Sequence, residues 1–229
     1  MPLSPSLAVP PSDRLAARLR GFGPLGLLAI LAILAANLIF APLSAVLVLV
    51  WARASRTPWR ELGFVRPRSW TATVGLGVAA GIAFKLAMKS IVMPLLGAPP
   101  INQRYAYLTG NTAALPGIVL AVIVSAGLGE EIVFRGYLFE RLGKLLGTEV
   151  WARAVIVVLT AVLFGLGHYA DQGLPGVEQA TITGLAFGTA FAATGRIWPV
   201  VIAHAAFDLA AVAIIYWGVE SSVAHAFFK

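Results

Sequence analysis

The sequence predicts an all-α fold: a polytopic transmembrane helical bundle of about six spans, with six to eight as the range. Three observations predict it. Hydrophobic residues make up 59% of the chain and charged residues 12%, with a mean hydropathy of +0.86; soluble domains sit nearer half apolar and a quarter charged. Apolar stretches long enough to cross a bilayer recur along the chain, separated by short segments that hold most of the arginines. The few charges inside those stretches pair up at a spacing of four, which puts two side chains on one helix face.

The length of 229 residues suits one compact bundle with no separate soluble domain. The net charge of +7 comes mostly from short loops, which fits contact with anionic lipid. No aromatic–basic interleaving or nucleic-acid motif occurs, so nucleic acid is excluded as a partner. Cysteine is absent, which removes disulfides, a thiolate nucleophile and a thiolate metal site.

Residues 1–20 carry four prolines followed by Arg14, Arg18 and Arg20. They are expected to be a disordered, basic start ending in a short interfacial turn. Residues 22–51 form an uncharged apolar run. It is too long for the 7–15-residue core of a signal peptide and further spans follow, so it is expected as a retained span. Residues 52–70 combine five arginines with Trp51, Trp59 and Trp70 and read as a loop on the membrane surface. A second span is expected at 71–96, containing Lys85 and Lys89. Lys89 is expected to snorkel to the surface, and the deeper Lys85 to offset carboxylate charge. Pro99, Pro100 and Asn111 mark the next loop. A third span begins near Ala113, and the amphipathic residues 137–147 continue it into the interface. The fourth span is expected at 151–169, a loop at 170–178, the fifth span at 180–194 and the sixth at 198–217. Gly and Ala in the fifth suit close helix packing. The expected domain organisation is therefore a basic segment at 1–20, one transmembrane helical domain at 21–218 with its motif-bearing core at 113–217, and a short tail at 219–229.

The arginine bias puts residues 52–70 on the cytoplasmic side. Six spans then place nine loop Lys/Arg inside and five outside, the N-terminal arginines among the latter.

Within the third span lies Gly127-Leu128-Gly129-Glu130-Glu131-Ile132-Val133-Phe134-Arg135-Gly136. Charges at membrane depth are costly unless paired or functional. Glu131 and Arg135 share a helix face and can pair, whereas Glu130 is rotated about 100° away and is left free for chemistry. Phe164 and His168 share a face, as do His204 and Asp208. At about 1.5 Å of rise per residue, Glu130, His168 and His204 lie roughly 15, 24 and 12 Å from the membrane surface, a spread that tilt can absorb. The three can therefore line one polar cavity. A carboxylate withdrawn from water can act there as general base near neutral pH, and imidazoles can orient the water or donate to an oxyanion. Such a set hydrolyses amides. His168, His204, Glu130 and Asp208 would equally make an ordinary zinc shell.

Glu130-Glu131-x-x-x-Arg135, Phe164-x-x-x-His168 and His204-x-x-x-Asp208 resemble, in order, the three motifs of the CAAX-protease and bacteriocin-processing family of intramembrane proteases, which includes the type II CAAX prenyl endopeptidases. The resemblance spans roughly residues 115–216, and the turn at Arg60–Phe64 is similar too. It implies an α-bundle of eight helices or fewer opening to the cytosol. It further implies that Glu130 with His168 activates the hydrolytic water, that His204 and Asp208 polarise the scissile carbonyl, and that no metal is required. The family's third motif often ends in Asn. Asp208 donates a hydrogen bond only when protonated; ionised, it would orient His204 or bind a metal.

The expected function is an intramembrane endopeptidase acting on a membrane-associated peptide or protein, with Glu130, Glu131, His168, His204 and Asp208 as the catalytic set and Arg135 and Phe164 in support. No cofactor is expected, with zinc as the alternative. The expected setting is the plasma membrane, multi-pass, with the cavity open to the cytoplasm. Two other classes compete. A proton-coupled transporter could use the same carboxylates as a relay, but the inverted repeats common in transporters are missing. A non-catalytic family member could act as an immunity or scaffold protein. Ser125 has no GxSxG around it, and HExxH and GxGD are absent, against serine, zincin and aspartyl readings.

Overall fold

A computed structural model describes residues 11–228. They are mostly helical, with no strand among them. Nine helices follow in order: α1 (Pro11–Arg20), α2 (Pro24–Ile39), α3 (Ala41–Ala54), α4 (Trp70–Leu95), α5 (Thr112–Leu146), α6 (Val150–Gly167), α7 (Tyr169–Thr194), α8 (Ile197–Tyr216) and α9 (Glu220–Ala224).

Residues 1–10 lie outside the described residues; the expectation of a disordered start extended to residue 20 and is corrected for the rest. Pro11–Arg20 is a helix. It is anchored by Trp51, whose indole N–H donates to the Leu19 carbonyl at 3.1 Å, and by Arg141, which donates to the Arg20 carbonyl at 2.8 Å.

The single span expected at 22–51 is instead a helical hairpin. At Phe40 the backbone is extended (φ −163°, ψ 106°), and Pro42 sits in the first turn of α3. Ser44 Oγ donates to the Ile33 carbonyl at 2.8 Å, which holds the two arms together. Arms of 16 and 14 residues reach only about 24 and 21 Å, short of a bilayer core of about 30 Å.

Four helices among the described residues are long and apolar enough to cross a membrane: α4, α5, α6 and α8. A fifth is counted if α1 and α2, bent by 60°, form one broken span. The expected six are not found. The hairpin removes one, and α7, although it leads from the end of α6 back to the start of α8, carries Asp171, Gln172, Glu178 and Gln179 in its first half and is not apolar enough to be counted. That helix starts eleven residues earlier than expected, at Tyr169, and breaks at Gly173 (φ 62°, ψ −157°) before Pro175 resumes it. With this architecture and large apolar side chains such as Leu31, Leu76, Leu120 and Val158 facing outward, the chain is an integral membrane protein.

Small residues set the two closest packings. A Cβ at Gly81 of α4 would stand 2.2 Å from the Ala203 carbonyl oxygen of α8, and one at Gly184 of α7 would stand 2.8 Å from Ala161 Cα of α6. The turn after α3 locks onto the same frame. Gly63, left-handed at φ 81°, accepts from the Ile197 amide at the start of α8 at 2.9 Å. Glu61 beside it pairs with Arg20 and Lys144. Residues 139–146 continue α5 as expected, but Glu140 and Arg141 are buried and paired at 2.6 Å, with the guanidinium over Trp51.

Candidate functional site

In the middle of α5 the backbone widens to i→i+5 hydrogen bonding over Val122–Glu130 and again over Ile132–Leu138. Such segments are rare and gather at functional sites. Glu130 and Phe134 face a cavity of about 870 Å³, and Glu131 and Arg135 turn away from it into the protein.

The structure brings Glu130, Phe164, His168, His204 and Asp208 to the wall of that one cavity. His204 Nε2 stands 3.8 Å from Glu130 Oε2 and 3.5 Å from Asp208 Oδ2. Its other nitrogen is committed: Nδ1–H donates to Glu131 Oε1 at 2.7 Å. The same oxygen accepts from Arg135 Nη1 at 2.8 Å, and Arg135 Nη2 donates to the Gly184 carbonyl at 3.2 Å. The guanidinium lies over Phe164, 5.0 Å from the ring centre. Glu131 was expected within the catalytic set. It is fully buried, does not line the cavity, and holds the tautomer and plane of His204 instead.

His168 caps the end of α6. Its Nδ1 lies 2.9 Å from the Phe164 carbonyl, which can only accept, so Nδ1 carries a proton and Nε2 is left facing the cavity side. Phe164 stands between the two imidazoles, 4.7 Å from His168 and 5.9 Å from His204, edge to face with both.

Further residues on the cavity were passed over or misread in the sequence. Lys85 is buried, with Nζ 3.1 Å from Gln179 Oε1. Lys89 does not snorkel: Nζ meets Glu220 Oε1 at 3.0 Å and the Pro100 carbonyl at 2.6 Å. Glu220 also accepts from the Asn102 amide at 3.0 Å, so the supposed tail folds back over the cavity. Only the spacing of Lys89 from a distant carboxylate, invisible in one dimension, could have signalled this. Asn37, next to the Phe40 break, lines the cavity too, and its Oδ1 has no hydrogen-bond partner among the described residues. On the loop, burial and then the charge of Asp208 push the Tyr105 phenol above its ordinary value, so it remains a neutral O–H.

The cavity runs from mid-bundle to the end formed by Pro99–Tyr105, the α6–α7 corner and α9. The arginine-rich turns lie at the other end, beyond the start of α4, the end of α5 and the start of α8. The two topological expectations, cytoplasmic arginines and a cytoplasmic opening, therefore exclude each other.

A zinc site was the alternative reading of these residues. Among the described residues no three His, Asp or Glu stand together closely enough to share an ion.

A family model described as type II CAAX prenyl endopeptidase Rce1-like matches residues 112–210. No curated protein and no solved structure matches the chain. The matched stretch holds Glu130, Glu131, Arg135, Phe164, His168, His204 and Asp208, every residue of the three motifs, and over it the chain is similar to the Rce1-like type II CAAX prenyl endopeptidases.

Proposed function

We propose that the protein is an intramembrane endopeptidase that cleaves a membrane-associated peptide or protein by glutamate-activated water, without a metal. The observation that carries this reading is the division of labour between the adjacent glutamates. One faces the cavity 3.8 Å from an imidazole nitrogen, and the other sits behind and fixes that imidazole.

Water enters between Glu130 and His168. His168 Nε2 accepts one of its protons as a hydrogen bond and orients it. Glu130 removes the other as the oxygen attacks the scissile carbonyl. The carbonyl π pair moves onto oxygen. His204, as the imidazolium with Nδ1–H on Glu131, turns Nε2–H to that oxyanion. Asp208, 3.5 Å away, holds the cationic charge, a role that suits a carboxylate better than an amide. The C–N bond then breaks, and Glu130 returns its proton to the leaving amine. Arg135 holds Glu131 in place.

A proton-coupled transporter is disfavoured because the cavity opens at one end and the buried Glu131–Arg135 ion pair closes the interior behind it. The orientation follows from the basic residues. The hairpin returns the chain, so Arg14, Arg18 and Arg20 join Arg53, Arg56, Arg60, Arg66, Arg68, Arg141, Lys144, Arg153 and Arg196 at one end, against Arg104 alone on the described loops of the cavity end. Positive charge of that asymmetry faces the cytoplasm, which points the cavity away from it.

The test is hydrolysis of a library of membrane-tethered peptides by purified protein. Wild type cleaves, before and after chelation of metals, and Glu130→Gln loses about 10²–10⁴-fold in kcat at unchanged thermal midpoint. Normal turnover by a folded Glu130→Gln protein would sink the assignment. Activity lost on chelation and restored by stoichiometric zinc would replace it with a metal mechanism.

A further inference from the structure

The mechanism above leaves one negative charge at the site unbalanced. Glu130, Glu131 and Asp208 are three carboxylates, and they meet the guanidinium of Arg135 and the imidazolium of His204. Arg135 and His204 Nδ1 both donate to Glu131 Oε1. His204 Nε2 then faces two carboxylates, Glu130 Oε2 at 3.8 Å and Asp208 Oδ2 at 3.5 Å. Neighbouring carboxylates in a site shielded from water do not both stay ionised unless a counter-charge holds them so. A protonated Glu130 is no general base, and a protonated Asp208 no longer holds the imidazolium. The chemistry therefore calls for one more cation.

Lys85 is placed to be that cation. It is buried and lies on the wall of the same cavity. Gln179 Oε1 accepts from its Nζ at 3.1 Å, and the ammonium sits over the Phe207 ring, 4.7 Å from its centre. Phe207 is the residue before Asp208, so the ring that seats the ammonium is joined directly to the residue carrying the carboxylate. Neither contact neutralises the charge: the amide is uncharged, and the ring offsets only part of the burial cost. Of the charges that act on Lys85, Asp208 is the strongest, ahead of Lys89 and Glu220. Glu220 is already committed, accepting from Lys89 Nζ and from the Asn102 amide, each at 3.0 Å. Among the described residues no carboxylate is within ion-pair distance of Lys85 Nζ, so the attraction acts across the cavity. Out of water such an attraction is several-fold stronger than in it.

We propose that Lys85 is a positioning residue: its ammonium, seated by Gln179 and Phe207, balances Asp208, so that Asp208 and Glu130 are ionised together on the two sides of His204. Its effect on turnover rests on the peptidase reading; its charge pairing with Asp208 does not. Lys85 touches none of the reacting atoms and acts through Asp208 and His204.

A double-mutant cycle tests this with two readouts. Lys85→Met, Asp208→Asn and the double variant are compared with wild type, and Lys85→Arg keeps the charge as a control. Each single neutral substitution strands the other charge and should lower the thermal midpoint in detergent by about 2–4 °C. The double variant, with no charge left over, should melt no lower than the less stable single variant. In hydrolysis of membrane-tethered peptides, Lys85→Met should lower kcat about tenfold at unchanged KM, a size within the range for coupled neighbours. Lys85→Arg should keep most of the activity, and Lys85→Met made in the Asp208→Asn background should lower kcat much less than in wild type. If Lys85 only filled space over Phe207, the losses would add and Met would serve as well as Arg. Additive midpoint losses, or normal kcat in Lys85→Met, overturn the proposal. Should Lys85→Met fail to fold alone, recovery of a folded protein on adding Asp208→Asn is the expected result, and no recovery overturns it. Coupled midpoints in a protein whose wild type cleaves none of the peptides leave the charge pairing standing and remove the peptidase reading.

Discussion

At the residue scale the site is organised by one buried oxygen. Glu131 Oε1 accepts from both Arg135 and His204, at 2.8 and 2.7 Å. Removing one partner of a buried ion pair strands the other, which costs about 3–5 kcal/mol. Arg135→Ala should therefore lower the thermal midpoint in detergent and abolish hydrolysis together, whereas Glu130→Gln lowers activity alone. An Arg135→Ala protein with an unchanged midpoint would mean that the pair is solvated. The candidate site stood out in the sequence because charges at membrane depth are scarce, and the i,i+4 spacing paired Glu131 with Arg135, as the structure does. The hydrogen bond from His204 to Glu131 was not legible. It joins residues 73 positions apart, and helical periodicity says nothing about which face of α8 meets which face of α5. The same limit hid Lys85 and Gln179, which are 94 positions apart.

At the element scale, α8 carries His204 and Asp208, and its position against α4 is set by glycine. Gly81 leaves the Ala203 carbonyl with no room for a Cβ, at 2.2 Å, and Gly77 meets Ile202 at 2.8 Å. Gly81→Ala should push the helices apart at the turn that bears His204. The expected cost is about 1–3 kcal/mol, the range for overpacking, with kcat reduced. Gly75→Ala on the same helix, where nothing lies within 4 Å, should cost neither. Denaturant unfolding in mild detergent measures both, and equal effects at the two positions would show that the α4–α8 contact is not tight. The long apolar helices were legible from hydropathy, and their ends fell within a few residues. The hairpin at Phe40 was not, because its two arms are as uniformly apolar as one span and Pro42 suits the start of a helix as well as a kink. The widened turns of α5 leave no compositional mark at all.

At the scale of the whole molecule, the two ends of the bundle differ in kind. One end is basic and closed: Glu61 bridges Arg20 and Lys144, Arg141 packs on Trp51, and the Gly63 turn clips α8. The other is open, roofed by the loop at Pro99–Tyr105 and by α9, which Lys89 and Glu220 tie together at 3.0 Å. The hairpin links these facts. Had residues 22–51 crossed the membrane once, the N-terminal arginines would lie at the open end and blunt the charge asymmetry. Because the chain returns, they reinforce it. Loop Lys and Arg within reach of the spans bias orientation, and the orientation proposed above puts the basic end in the cytoplasm and the cavity on the opposite side. The absence of native cysteine makes this directly measurable. Tyr107→Cys, on the exposed loop of the cavity end, and Arg68→Cys, on the exposed turn before α4, each introduce a single thiol. In intact cells a membrane-impermeant maleimide should label Tyr107→Cys at once and Arg68→Cys only after permeabilisation. The reverse pattern would place the cavity in the cytoplasm and show that the arginine asymmetry does not govern this chain. Labelling of both in intact cells would deny that the two ends lie on opposite sides of the membrane.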